Sequence, residues 1–130
     1  MNAVEFTNVC FSYIGEEQKE SDKNFIHNLN LNIKENSKII CDDKWQIEAL
    51  TNIIKNAIEH SKNNSNIIIN IENNNVYSMI EVIDFGEGIA KKDIKHIFER
   101  FYKCKNTKID SIGIGLALAK TIIEEDKGTI

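Results

Sequence analysis

The sequence holds no proline, one tryptophan and only three cysteines. The missing proline goes with an abundance of asparagine, isoleucine and lysine; it is compositional background and carries no functional meaning. Cys10, Cys41 and Cys104 are far apart and odd in number, and no CxxC pair exists. That excludes the usual spacing of a zinc site and gives no disulfide framework. Reduced cytosolic thiols are the expectation, with Cys10 and Cys41 packed in apolar surroundings. No apolar run approaches about 20 residues, so no membrane-spanning helix and no membrane contact are expected. A basic-then-apolar secretory signal is also missing. Neither sign of charge dominates, at 16 basic against 20 acidic residues, and the lysines are scattered among acids. The sequence therefore offers no nucleic-acid or anionic-membrane surface.

What is present suits one soluble domain. Of 130 residues, 42% are apolar and 28% charged, enough for a core without staples. Phe6, Val9, Cys10, Tyr13 and Ile14 recur at helical spacing, which predicts a leading helix from Val4 to Lys19; a strand opening at Val4 competes with it. Residues 1–23 are assigned to this leading segment and 24–130 to the main domain. Phe25 to Ile33 alternates, with Leu29, Leu31 and Ile33 on one side and Asn28, Asn30 and Asn32 on the other, as a half-buried strand does. A turn at Glu35-Asn36-Ser37 and a short strand at Lys38 to Cys41 suggest a hairpin. Asp42 or Asp43 can cap a helix over Lys44 to Ser61, whose Leu50, Ile53, Ile54, Ala57 and Ile58 form an apolar stripe. A strand, an asparagine turn at 73–75 and a second strand reaching Asp84 follow. Helices are predicted over Lys91 to Phe101 and Gly113 to Asp126. The sum is an α+β, two-layer sandwich: a mixed, mostly antiparallel sheet covered on one face by about three helices.

Four segments carry candidate chemistry. Asn52, Asn56 and His60 stand at i, i+4 and i+8 on one ridge of their helix, off the apolar stripe. Amides on a line can be plain solvated surface, but an amide oxygen is also a hard ligand suited to Mg²⁺. Asp84-Phe85-Gly86-Glu87-Gly88-Ile89 ends an apolar strand. Its glycines permit close backbone approach to a flat ligand, and its carboxylate can accept from an exocyclic amine such as that of adenine. An ordinary Asp/Gly turn is the plainer alternative. Gly113-Ile114-Gly115-Leu116 opens an apolar helix and leaves N–H groups for phosphate, or else serves only tight packing. Between them, Ile97 to Lys103 carries Phe98, Arg100, Phe101 and Lys103. The phenylalanines can simply be core and Arg100, Lys103, Lys105 and Lys108 simply solvated, but a polar, glycine-bounded stretch beside a phosphate site also suits a lid.

The order of these segments resembles the catalytic domain of sensor histidine kinases, within the wider group sharing the gyrase and Hsp90-type (Bergerat) ATP-binding fold. Asn52 to Ser61 matches that family's asparagine box, Asp84 to Ile89 its first glycine box, Ile97 to Lys103 its phenylalanine box and Gly113 to Ala119 its second glycine box. The match runs from about Lys38 to Ile130. The resemblance implies Mg²⁺ on Asn56 with Asn52 in support, adenine read by Asp84, an adenine pocket shaped by Gly86, Gly88 and Ile89, and His60 beside the nucleotide. It implies phosphates at Gly113, Gly115 and Leu116, touched from the lid side by Arg100 and Lys103. Such a domain holds Mg·ATP and presents its γ-phosphoryl to a histidine on a separate dimerisation domain, which then serves a response regulator. It places the chain in the cytoplasm.

The sequence departs from that pattern in places. Glu59 stands where many members have a lysine near phosphate; pointing inward it would repel phosphate, and it can instead turn outward toward Lys55 or Lys62. Ala117 replaces a third glycine. Where ATP-hydrolysing relatives carry a water-orienting glutamate, this chain has Asn52, which predicts little hydrolysis. None of His27, His60 and His96 resembles a phosphoacceptor, so autophosphorylation by this chain alone is not expected. The family's domain continues past Gly128-Thr129-Ile130 with a turn and a final strand, so the resemblance implies a domain lacking its last strand or strands. Residues Val4 to Tyr13 also resemble the opening strand of ABC-transporter ATPases, but no GxxxxGK[ST] loop follows. Two rival readings remain: a non-catalytic nucleotide-binding regulatory module or inactive fragment, and an anti-sigma-type serine kinase on the same fold.

Overall fold

The computed structural model describes residues 2–5, 12–14, 26–33, 38–62, 64–74, 76–104 and 112–130. In chain order these form β1 (Asn2–Glu5), β2 (Ser12–Ile14), β3 (Ile26–Ile33), β4 (Lys38–Cys41), α1 (Asp43–His60), β5 (Asn66–Asn73), β6 (Ser78–Ile83) and α2 (Gly115–Glu125). A four-stranded sheet runs β2-β3-β5-β6, and β1 pairs with β4 in a separate ribbon. All pairings are antiparallel except β3 with β5. The mixed, mostly antiparallel sheet and its helical cover agree with the sequence-based fold class.

Three local expectations are corrected. The leading helix is replaced, among the described residues, by β1 and β2. Helical spacing of apolar residues is a weak prior, and here the backbone groups of residues 2–5 find antiparallel partners along β4 and those of 12–14 along β3; residues 6–11 and 15–19 of that expectation lie outside the described residues, as does Cys10. The hairpin between β3 and β4 does not form. The chain passes from β3 through β4 and α1 before returning as β5, and a parallel neighbour of β3 needs such a crossover connection. The third helix, expected over Lys91 to Phe101, is a run of turns. Its hydrogen bonds link Ala90 to Asp93, Asp93 to His96 and His96 to Glu99, mostly at three-residue steps. Among the described residues the helical cover is therefore two helices.

α1 starts where a cap is available: the Asp42 side chain accepts from the Trp45 N–H at 3.3 Å. Asp42→Ala should cost about 1 kcal/mol of stability, read as a lower urea midpoint at unchanged slope. The β5–β6 hairpin forms as expected, closed by Asn74, whose side-chain oxygen accepts from the backbone N–H groups of Val76 (2.8 Å) and Tyr77 (2.9 Å). Period-two alternation buries Ile67, Ile69 and Ile71 of β5 against Ala57, Ile54 and Ile58 of α1. On the opposite face of the sheet, Asn32, Asn70 and Glu81 stand side by side in register. Asn32 donates to Asn70 at 3.0 Å and Asn70 to Glu81 at 2.7 Å.

A second cluster of Ala49, Ala119 and Ile122 locks α2 onto α1, and Gln46 of α1 donates to Asp126 at the end of α2 at 2.7 Å. Because α1 packs on both the sheet and α2, its free ridge is held facing the start of α2 and the end of β6. Cys41 is buried, as expected. Burial pushes its thiol pKa up, with Asp126, Asp43 and Asp42 adding to the effect, so it stays protonated and unreactive. No helix among the described residues is long and apolar enough to cross a membrane.

Candidate nucleotide-binding site

The ridge of α1, the loop after β6 and the approach to α2 enclose one cleft of about 370 Å³. From α1 it is lined by Asn52, Lys55, Asn56, Glu59 and His60, and from the loop after β6 by Asp84, Glu87, Gly88 and Ile89. Gly113, Ile114, Gly115 and Leu116 close the third side, with Tyr102 and Lys103 beside them. Residues separated by up to 64 positions in the chain, Asn52 and Leu116 among them, thus face one space.

The two asparagines are not equivalent. Asn52 donates through Nδ2 to the Glu48 carbonyl (2.9 Å) and the Glu48 carboxylate (3.0 Å). That fixes its amide with Oδ1 against Gly115, where a Cβ would come within 3.1 Å of that oxygen. Asn52 is therefore a strut between α1 and the start of α2. Asn56, half-buried one turn on, makes no side-chain hydrogen bond with another described residue. A half-buried amide with no partner keeps its oxygen available to a ligand.

The Asp84 carboxylate accepts from the Gly86 N–H at 2.8 Å through Oδ1, and its second oxygen has no hydrogen-bond partner among the described residues. Gly86 lies against the end of α1. A Cβ there would fall on the carbonyl oxygen of His60, so this position holds a glycine for close approach of two backbones. Gly86 supports the cleft wall from behind and does not line it. α2 begins at Gly115 without a side-chain cap and without an acidic residue in its first turn. Its leading N–H groups and dipole are open to an anion.

The turns before the cleft are held by a cluster of side chains. The Tyr102 hydroxyl donates to Asp93 at 2.7 Å, its ring stacks on His96 at 5.3 Å, and His96 Nδ1 lies 2.7 Å from Glu99. The hydrogen bond to Asp93, which favours the neutral phenol, is the main reason its pKa is pushed up to about 12. The Phe101 N–H donates to the Gly113 carbonyl at 2.8 Å, closing the base of the loop between them. Gly113 has φ +75°, and a Cβ there would come within 2.7 Å of the Tyr102 carbonyl oxygen.

Most residues singled out from the sequence line the cleft: Asn52, Asn56, His60 and Asp84, then Gly88, Ile89 and Lys103, then Gly113, Gly115 and Leu116. Arg100 does not; it is exposed and outside the cleft, because the turns that replace the expected helix carry it away. Phe98 lies instead under the Lys120 ammonium of α2, at 5.5 Å. Of the two orientations open to Glu59, the structure takes the inward one: it lines the cleft and makes no ion pair with Lys55 or Lys62. Lys55, Tyr102 and Glu87 were not anticipated as lining. Lys55 stands three residues after Asn52, a helical spacing that could have shown it; Tyr102 lies within the Ile97 to Lys103 segment, but its place on the cleft depends on the turn at Phe101. Lys105 and Lys108 lie outside the described residues.

A cleft walled by an asparagine ridge, a carboxylate-glycine loop and a glycine-opened helix defines a class, and comparison places the chain in it. The model of the family described as "Histidine kinase-, DNA gyrase B-, and HSP90-like ATPase" matches residues 41–130. The chain belongs to this family and is an ATP-binding domain of the histidine-kinase type. It is similar to the sensor histidine kinase WalK of Bacillus subtilis (33% identity over 120 residues, 88% of this chain and 19% of that protein). It is also similar to the sensor histidine kinase YclK of the same organism (30% identity over 124 residues, 92% of this chain and 26% of that protein). The chain thus spans about a quarter or less of these relatives' length. A mycobacterial sensor histidine kinase, MprB, shares the fold with a TM-score of 0.67 at 20% identity, covering 76% of this chain and 64% of that one.

Proposed function

We propose that this chain holds Mg·ATP in the cleft and presents the γ-phosphoryl to a histidine on a separate dimerisation domain, in the cytoplasmic part of a two-component sensor that serves a response regulator. The observation that carries the reading is the meeting of an unpartnered Asn56 amide, the Asp84 carboxylate and the uncapped N-terminus of α2 around one space. Asp84 accepts from the adenine amino group, with Gly88 and Ile89 against the base and Gly86 supporting the loop. The N–H groups of Gly115 and Leu116, with Gly113 and Lys103 nearby, meet the phosphates. Asn56 supplies a hard oxygen for Mg²⁺, Asn52 holds the α1–α2 junction, and His60 stands beside the nucleotide. With phosphoryl transfer resting on positioning and charge neutralisation, the domain itself needs no covalent chemistry. Residues 24–130 are proposed as the ATP-binding unit and 1–23 as the segment leading into it.

The test is calorimetric titration with ATP, with and without Mg²⁺, followed by addition of a histidine-bearing dimerisation domain and measurement of phosphohistidine. Asn56→Ala should weaken Mg·ATP by about tenfold or more and leave metal-free ATP unchanged. Mg·ATP binding without transfer to any supplied histidine supports instead a non-catalytic nucleotide-binding module, the reading that the cleft carboxylate of Glu59 favours. Failure of a folded chain to bind nucleotide at all overturns both.

A further inference from the structure

Among the described residues that line the cleft, two lysines, Lys55 and Lys103, face three carboxylates, Glu59, Asp84 and Glu87. This is an unusual balance for a space that receives a triphosphate, which carries several negative charges. Asp84 has a role in the proposed adenine contact, and Glu87 lies on the same loop. Glu59 stands apart from both. It sits on α1 three residues after Asn56 and four after Lys55, so on a helix it neighbours both, and it lines the same cleft. It is neither buried nor neutralised: it is exposed to the cleft, and neither it nor Lys55 makes an ion pair among the described residues.

We infer that Glu59 makes the cleft selective for the metal-bound form of the nucleotide. This rests on the nucleotide reading above and adds a specificity-determining residue to it. A carboxylate one helical turn from Asn56, the proposed magnesium ligand, repels the bare polyanion held there. A divalent cation on the phosphates removes most of that repulsion and can itself be drawn toward the same carboxylate, directly or through its water. Asn56 and Glu59, one helical turn apart, then act on the two sides of one discrimination: the amide oxygen favours the metal complex, and the carboxylate disfavours ATP without it. Neither residue forms a closed metal site, and none is required. Groups of three or more His, Cys, Asp or Glu side chains able to hold an ion are absent among the described residues.

The experiment measures ATP affinity twice, with excess Mg²⁺ and with excess EDTA, for the whole chain and for Glu59→Gln and Glu59→Lys. Glu59 is exposed, so neither variant should disturb the fold, and circular dichroism confirms that. For Glu59→Gln, affinity for metal-free ATP should rise about tenfold, as expected for removing one like charge a few ångströms from phosphate in a partly hydrated cleft. Affinity for Mg·ATP should change far less, so the ratio of the two affinities shrinks. Glu59→Lys should shrink it further. If both variants leave the ratio as in the parent chain, Glu59 does not select the metal-bound form and the inference is overturned while the nucleotide reading stands. If the folded parent chain binds neither form, the nucleotide reading falls and this inference falls with it. The improvement of the metal-free arm separates this effect from that of Asn56→Ala, which acts on the magnesium arm.

Discussion

Replacing Asp84 by asparagine should lower ATP affinity by about 10- to 150-fold, the equivalent of losing one hydrogen bond to a charged acceptor at about 1.5–3 kcal/mol. The substitution is informative because it separates two jobs of one side chain. Oδ1 accepts from the Gly86 N–H at 2.8 Å and shapes the turn after β6. An asparagine keeps an oxygen for that bond, so the loop and the fold should survive. The second oxygen becomes an NH₂ group, which cannot accept from an amino group and meets it donor to donor. The expected pattern is an unchanged thermal midpoint with binding lost on titration. A variant that binds ATP as the parent does would remove Asp84 from the adenine contact. One that melts well below the parent would show that the turn, not the ligand contact, is what the carboxylate supports.

Gly86→Ala should act in the opposite way, through the fold first. A Cβ at position 86 would fall on the His60 carbonyl oxygen, a backbone atom that cannot swing aside. The loop after β6 and the end of α1 must then separate, at a cost of about 1–3 kcal/mol for an overpacked contact. Because His60 and Asp84 both line the cleft, that separation widens it and nucleotide binding should fall in parallel. Gly88→Ala is the control. Gly88 has φ +73° but open space around its α-carbon, so its cost is conformational alone, about 1–2 kcal/mol, with no displacement of α1. Denaturant melts and ATP titrations of the two variants distinguish these causes. Equal effects on binding from both would mean that the Gly86–His60 approach does not set the width of the cleft.

Both variants probe a junction whose parts were legible at different levels. The capped helix α1, the hairpin of β5 and β6 and the apolar opening of α2 follow from local chemistry. Asp42 offers a cap, Asn74 closes a turn through its own side chain, and Ile67, Ile69 and Ile71 alternate with neighbours outside the core. The ridge of Asn52, Asn56 and His60 was equally readable, since helical period alone puts those positions in line. Other features depended on distant partners. The opening residues carry a helix-like spacing, yet β1 and β2 lie extended, because β4 and β3 provide backbone partners that periodicity does not register. β4 left β3 to pair with β1, since the parallel neighbour of β3 is β5, more than thirty residues on.

The sequence alone established the class of chemistry: which residue types were present, in which order, and on which elements they stood. Those are properties of local spacing, and a period of 3.6 or 2 together with caps and glycines encodes them within about ten residues. The tertiary structure alone decided which of those side chains meet. It turned Asn52 into a strut against Gly115 and left Asn56 open, carried Arg100 out of the cleft and brought Tyr102 in, and aimed Glu59 at the space where phosphates are proposed to lie. The reason is that each of these outcomes depends on how α1 is clamped between the sheet and α2 and on a turn at Phe101. Those are contacts between residues tens of positions apart, which no local pattern specifies.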